Sequence, residues 1–306
     1  MSDEPDAKRV CIIPPKTLGD IYKPDITLFD AVTEENESLC KFLLENDVDP
    51  NQTNCDSQPP LHIATQKNNL EICIELLNHK ADPNKIHNVA LDSSVRYYVE
   101  DSRPPLLTAL KYNNIPLVTQ LLEHKANPNI EYGSRRDRSL CMNFPFNSRC
   151  NSLESLKVLL NYHADVHKTD MHGNTLLHNT ITNPDYEHNR NLNQLDVINL
   201  LIEYKADVNA QNNVNETPLM LYNENIEVYK LLIHYKADVN AQNNNGETPL
   251  IVYIENIEVY KLLIHYKADV NHKDNYGRNA LFNNITGYFR TPNYDICKFL
   301  VENKSD

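Results

Sequence analysis

The stretch LEICIELLNH, residues 70–79, places apolar side chains at Leu70, Ile72, Cys73, Leu76 and Leu77. That spacing puts them on one face of an amphipathic helix. The stripe returns as SLCKFLL and DICKFLV near the two ends of the chain. From Glu224 to Asn240 the chain reads ENIEVYKLLIHYKADVN, and from Glu255 to Asn271 it reads the same letters again, 31 residues later. A shorter apolar run precedes each such helix, as in PPLHIA, ETPLMLY and ETPLIVY. At Thr217-Pro218 and Thr248-Pro249 this run predicts a helix with Thr at the N-cap and Pro at the first helical position. Paired helices this short cannot bury their own apolar stripes, so each pair needs a neighbour.

Two markers extend the pattern along the chain. One closes each unit: VDPN (48–51), ADPN (81–84), ANPN (126–129), ADVH (164–167) and ADVN at 206–209, 237–240 and 268–271. The other opens it: ITLFDAV (26–32), PPLHIA (59–64), PPLLTA (104–109), RSLCMN (138–143), NTLLHNT (174–180), ETPLMLY (216–222), ETPLIVY (247–253) and RNALFNN (278–284). T-P-L-H-x-A followed by a helix ending L-L-x-x-x-A-D-V-N resembles the ankyrin repeat. The resemblance covers roughly 27–306, in eight repeats at about 26–57, 58–102, 103–137, 138–172, 173–214, 215–245, 246–276 and 277–306. It implies an all-α, ankyrin-repeat solenoid of stacked helix-turn-helix pairs with β-hairpin fingers, forming one domain over 26–306. Residues 1–25, with Pro5, Pro14, Pro15 and Pro24, have no repeat character and are expected to form an extended arm.

The family usually carries Gly just before A-D-V-N, where the chain leaves the helix in a left-handed conformation. This chain has Lys80, Lys125, Lys205, Lys236, Lys267 and Lys304 there, with His163 in repeat four. A side chain at positive φ costs about 1 kcal/mol. A cation at a helix C-terminus returns about 0.3–1 kcal/mol, so the turns are expected to be kept under mild strain. One place earlier stand His79, His124, Tyr162, Tyr204, Tyr235 and Tyr266, with Asn46 and Asn303 in the end repeats. Rings stacking along the array, and polar substitutes at its ends, are the expectation.

Seven cysteines, none in a C-x-x-C pair, read as a reduced, intracellular protein. Cys40, Cys73 and Cys297 share one place with Val158, Ile198, Tyr229 and Tyr260, which marks a packing slot. A net charge of −13 repels phosphate backbones and argues against nucleic acid. No run approaches the length of a membrane span, and the N-terminus lacks the layout of a secretion signal. Trp is absent, Gly is only 6, and Asn reaches 42. The tight turns therefore fall to Asn, Asp, Pro and Lys.

The period breaks in one conspicuous place. From the Asp of A-D-V-N to the Pro position of the next T-P-L the interval is 11 in five cases and 12 from Asn127 to Ser139, but 23 from Asp82 to Pro105. The long finger, 84–105, offers Lys85, Arg96, Tyr97, Tyr98 and Arg103. The next, 129–139, offers Tyr132, Arg135, Arg136 and Arg138. Five Arg, one Lys and three Tyr thus gather on adjacent fingers of an acidic chain, and Arg and Tyr dominate binding hot spots. Insertions between the helices of repeats four, five and eight read as drift, and repeats six and seven lose two residues there.

No phosphate-cradling Gly loop, H-E-x-x-H or nucleophile elbow is present, so no catalytic, cofactor or metal residues are assigned and an enzyme is not expected. His62 and His178 occupy the T-P-L-H place, where the ring is expected to bond the neighbouring backbone. The reading is a monomeric protein-interaction module holding a protein partner with an acidic or phosphorylated epitope, without cofactors, nucleic acid or membrane. Arrays of this kind resemble those of intracellular pathogens and large DNA viruses, which implies a host protein as partner and a cytoplasmic or nuclear location. The alternatives are an ankyrin-type inhibitor masking a transcription factor and an unrecognised enzyme. Asn209 and Asn240 match the setting that asparaginyl hydroxylases modify in ankyrin repeats, with a structural hydrogen-bonding role as the competing account.

Overall fold

The computed structural model describes residues 26–85, 103–132, 139–140, 152–182, 193–221, 223, 225–252, 256–286 and 293–303. The arm 1–25 and most of the long finger lie outside them. The chain divides into two compact units, one running to Tyr162 and the other holding His163 onward, with 137–147 assigned to the second.

In the first unit, repeats one to three pair α1 (Leu28–Thr33) with α2 (Glu37–Glu45), α3 (Pro60–Gln66) with α4 (Leu70–Asn78) and α5 (Pro105–Lys111) with α6 (Ile115–Glu123). First helices pack on first helices and second on second, α1 on α3 on α5 and α2 on α4 on α6. The short strand β1 (Glu131–Tyr132) follows in this unit, and β2 (Ser139–Leu140) belongs to the second. Repeat four contributes α7 (Leu153–Asn161), which packs on α6. In the second unit α8 (Leu176–Thr182) pairs with α9 (Gln194–Glu203), α10 (Ile226–His234) and α11 (Ile257–His265) follow, and α12 (Ala280–Thr286) pairs with α13 (Tyr294–Glu302). Each unit is thus a stack of helix pairs.

The second helices start alike. Asn36, Asn69, Asn114, Ser152, Asn193, Asn225, Asn256 and Asn293 are their N-caps, each accepting a backbone N–H of the first turn. Such a cap is worth about 1 kcal/mol over Ala. They end alike too. Asp47, Lys80, Lys125, His163, Lys205, Lys236 and Lys267 sit at φ between 61° and 71°, the left-handed exit expected for a residue standing where the family has Gly. The next N–H closes the turn, as Ala81 to the Leu76 carbonyl at 2.9 Å. Just before these exits Asn46, His79, His124 and Asn303 donate to, or share a hydrogen bond with, the carbonyl four residues back, at 2.7–2.9 Å. Among the described residues His234 meets Tyr235, and His265 meets Tyr266, edge to face within a repeat, each pair at 5.2 Å between ring centroids.

Two expectations change at the first helices of repeats six and seven. The first is a single 3-10 turn, Pro218–Met220, and the second a turn only. Thr217 is the N-cap residue, but its side chain makes no capping bond. The hydroxyls of Thr217 and Thr248 are buried without a hydrogen-bond partner among the described residues. In repeat five the equivalent Thr175 hydroxyl meets His178 Nδ1 at 2.8 Å. Met220 and Ile251 stand in the place of that His, which removes the partner.

The packing slot explains how the short repeats remain filled. Its occupants are Cys40, Cys73, Val118, Leu156, Ile198, Tyr229 and Tyr260, all buried, and half-buried Cys297. In repeat four the slot is therefore held by Leu156; Val158, assigned from the sequence, lies half-buried one half-turn on. The two tyrosines fall in the two repeats whose first helix has lost a turn. Their volume fills what that turn vacated, and Tyr229 Oη donates to the Leu221 carbonyl at 3.1 Å while accepting the Asn223 N–H at 3.0 Å. Tyr260 Oη accepts from Asn284 at 2.9 Å.

Candidate functional site

The hairpins between repeats begin at the Asn of A-D-V-N. In the first unit Asn51 Nδ2 donates to the Lys80 carbonyl at 2.9 Å and its Oδ1 accepts the Asp82 N–H at 2.7 Å. Asn84 does the same with Lys125 and Asn127. In the second unit Asn209 joins Lys236 and Asp238, and Asn240 joins Lys267 and Asp269. A side-chain amide carries one donor and one acceptor on adjacent atoms, so each Asn satisfies both peptide groups flanking the next repeat's exit turn. For Asn209 and Asn240 this is the structural role set against hydroxylation.

The hairpin tips are closed by a second set. Asn54, Asp170, Asn212, Asn243 and Asp274 each accept two backbone N–H groups across the turn through one side-chain oxygen. In the second unit the tips also bond one another. Asn213 donates its N–H to the His172 carbonyl at 2.9 Å, Asn244 to Val214 at 3.0 Å and Asn275 to Asn245 at 2.9 Å. A Cβ on Gly173 would meet Asn213 at 2.4 Å and one on Gly246 would meet Asn275 at 2.6 Å. Glycine leaves room for the next Asn at these two tips, while Asn215 holds the same place at φ 60° in the tip between them.

Only the two ends of the long interval, Asn84–Lys85 and Arg103, are among the described residues. Asn84, at its base, is fixed to repeat three by the two bonds above. The Lys85 ammonium, half-buried, donates to the Asn51 carbonyl and braces the base rather than reaching outward. Arg103, also half-buried, stands at the far end just before Pro104-Pro105 open α5. Tyr132 lies on β1, with its side chain outside the described atoms. Arg96, Tyr97, Tyr98, Arg135, Arg136 and Arg138 lie outside the described residues.

Charge chemistry elsewhere is structural. Arg278 holds Asp274 with Nε and a terminal nitrogen, each at 2.7 Å, approaches Glu247 at 3.5 Å and lies over the Tyr276 ring at 4.8 Å. Burial pushes the Asp274 carboxyl up, but the Arg278 hydrogen bonds and the Tyr276 N–H outweigh it and hold it below its ordinary value. Sequence reasoning alone missed this cluster; its signal is the acid–cation spacing of four between Asp274 and Arg278 across a hairpin tip. His178 Nε2 meets the Glu216 carbonyl at 3.1 Å, as expected of this place, and burial outweighs that bond to keep the ring's pKa below its ordinary value. Burial pushes the thiols of Cys40 and Cys73 up to about 11 and about 12, which leaves them protonated packing groups. Among the described residues no cluster of three or more His, Cys, Asp and Glu is arranged to hold a metal ion. No described helix is long and apolar enough to cross a membrane.

A three-repeat ankyrin profile matches residues 28–132, 147–243, 186–274 and 219–306. No curated protein matches the sequence. Among solved structures, the ankyrin repeat domain of Bcl-3, described as a unique member of the IkappaB protein family, superposes with a TM-score of 0.58 at 20% identity. That match covers 79% of this chain and 100% of the Bcl-3 chain. At that identity the likeness is one of fold. Because the profile spans most of the sequence and the helix pairs stack as it requires, the chain belongs to the ankyrin-repeat family.

Proposed function

We propose that the protein holds a protein partner against its two adjacent fingers, 84–105 and 129–139, and the groove beside them. Ankyrin repeats mediate protein–protein interaction, and a stack of satisfied peptide groups gives such a partner a rigid surface. One observation carries the assignment of place. Repeats two and three pack helix against helix across the insertion, α3 on α5 and α4 on α6, and Asn84 bonds repeat three as Asn51 bonds repeat two. The twelve extra residues are therefore not needed for stacking. A long loop on a rigid scaffold is a favoured place for binding. Its Arg96, Arg103, Tyr97 and Tyr98, with Tyr132, Arg135, Arg136 and Arg138, suit an acidic or phosphorylated epitope in a chain whose net charge is −13. A host protein is the partner this reading favours, and the cytoplasm or nucleus the place.

The second reading, an inhibitor that masks a transcription factor, draws on the fold likeness to the Bcl-3 domain, described as a member of the IkappaB family. Affinity capture separates the possibilities. A chain lacking residues 86–101 is expected to melt within a few degrees of the wild type, since the stack does not use them. It should lose the captured partner. Charge reversal at Arg135, Arg136 and Arg138 should weaken capture as well. Retention of the partner at unchanged strength by both variants overturns the finger assignment. Recovery of a transcription factor whose nuclear entry the chain blocks selects the second reading.

A further inference from the structure

The sequence holds a single Asn-Gly pair, Asn245-Gly246, among its 42 asparagines. It stands in the hairpin tip 243–247, where Asn245 is exposed. The corresponding tips put His172 before Gly173, Val214 before Asn215 and Tyr276 before Gly277. Asparagine is a thermolabile side chain. Its amide carbon is one ring closure away from the backbone nitrogen of the next residue, and a following glycine has no Cβ to hinder the approach. In the folded tip both reacting groups are held. The Gly246 N–H donates to the Asn243 carbonyl at 2.9 Å, and Asn245 Nδ2 donates to Glu247 Oε2 at 3.3 Å. The same two residues carry bonds to the next hairpin. The Asn245 carbonyl accepts the Asn275 N–H at 2.9 Å, and the Gly246 carbonyl meets His272 Nε2 at 2.9 Å.

We propose that Asn245 is a modification site, converted to aspartate and isoaspartate with water as co-reactant, and that the tip gates the conversion by holding both reacting groups. The Gly246 nitrogen attacks Asn245 Cγ, the Cγ–Nδ2 bond breaks, and ammonia leaves with the Gly246 amide proton. Water then opens the cyclic imide, and nothing is oxidised or reduced. Opening at Cγ leaves aspartate. Opening at the backbone carbon leaves isoaspartate, whose chain runs on through Cβ and Cγ. Either product replaces the donor facing Glu247 with a carboxylate, and like charges in contact repel. Isoaspartate also turns the carbonyl that accepts Asn275 into a free carboxylate and lengthens the backbone by one atom. The tip is closed so tightly on Asn275 that a Cβ on Gly246 would meet it at 2.6 Å, which leaves no room for a longer chain. The conversion therefore unties this tip from the next, a one-way change within the second unit. It is independent of the finger site, which lies in repeats two to four.

Peptide mapping of the full chain, aged at mildly alkaline pH both folded and in urea, tests it. In urea Asn245 is expected to convert faster than every other asparagine. The readout is the mass shift of an amide-to-acid change, with aspartate and isoaspartate peptides separating on a column. In the folded chain the conversion should be slower by roughly tenfold or more, since two hydrogen bonds must open first. Asn243→Ala removes the side-chain oxygen that accepts the Asn245 and Glu247 N–H groups, and it should speed the conversion in the folded chain. In the converted fraction the Asn275 amide should exchange its hydrogen faster, having lost its acceptor. An Asn245 that converts in urea no faster than the other asparagines overturns the site. Equal rates in the folded chain and in urea, or no acceleration by Asn243→Ala, overturn the gating. Unchanged exchange at Asn275 after conversion overturns the untying.

Discussion

Repeats two and three differ from repeats six and seven in where their irregularity is placed. Between two and three the chain gains twelve residues, and the helices on either side pack as elsewhere in the unit. In six and seven it loses two residues between the helices, and the core changes with it: each first helix shrinks to a turn and Tyr229 and Tyr260 fill the slot held by Cys73 and Val118 in repeats two and three. A connection between repeats accepts length at little cost, since loop closure grows only slowly with length. The space between paired helices is close-packed, so any change there must be made good by volume elsewhere.

The sharpest break in that comparison is Tyr229→Ala. It removes a fully buried ring that stands in for a missing helical turn, and urea unfolding should register a loss of about 3–5 kcal/mol. Cys73→Ala in the corresponding slot should lose much less, because a full-length helix already occupies the space. Equal losses would mean that the tyrosines fill no vacated volume. A smaller effect is expected from Asn240→Ala, which strips two hydrogen bonds from the exit turn of repeat seven and should cost about 1–2 kcal/mol. The same change at Asn84 should cost about as much, since the hairpin that follows is long but the bonds are the same; a negligible loss there would show the long finger decoupled from its base. The smallest change runs the other way. Lys236→Gly should raise stability by a few tenths to about 1 kcal/mol, because φ is +68° there and glycine removes the strain that the dipole only partly offsets. A clear fall in melting temperature would contradict this.

Much of the architecture was legible because it depends on local chemistry repeated many times. The stripe Leu70, Ile72, Cys73, Leu76 and Leu77 announced a helix face, and A-D-V-N announced its end. The left-handed exits at Lys80 through Lys267 followed from position alone. The candidate site was legible only as an interval: 23 residues where 11 are usual, with Arg and Tyr in the excess. What escaped the sequence were roles set by neighbours. Thr217 and Thr248 looked like caps, yet their hydroxyls need a His three residues on that repeats six and seven lack. Lys85 looked like a contact residue, yet its ammonium is taken up by the Asn51 carbonyl. The 42 asparagines looked like composition, yet many of them cap second helices, close hairpin tips or bridge successive repeats.

By itself the sequence determined that this chain is an array of helix pairs and where one interval between markers is overlong, because period and apolar spacing are properties of the chain read in order. Only the tertiary structure decided that two tyrosines replace a lost turn, that asparagine amides tie repeat one to two, two to three, five to six and six to seven, and that the Thr217 and Thr248 hydroxyls are left without a partner among the described residues. Each of these depends on which atoms lie across from a residue, and residues tens of positions apart along the chain become neighbours only when the pairs stack.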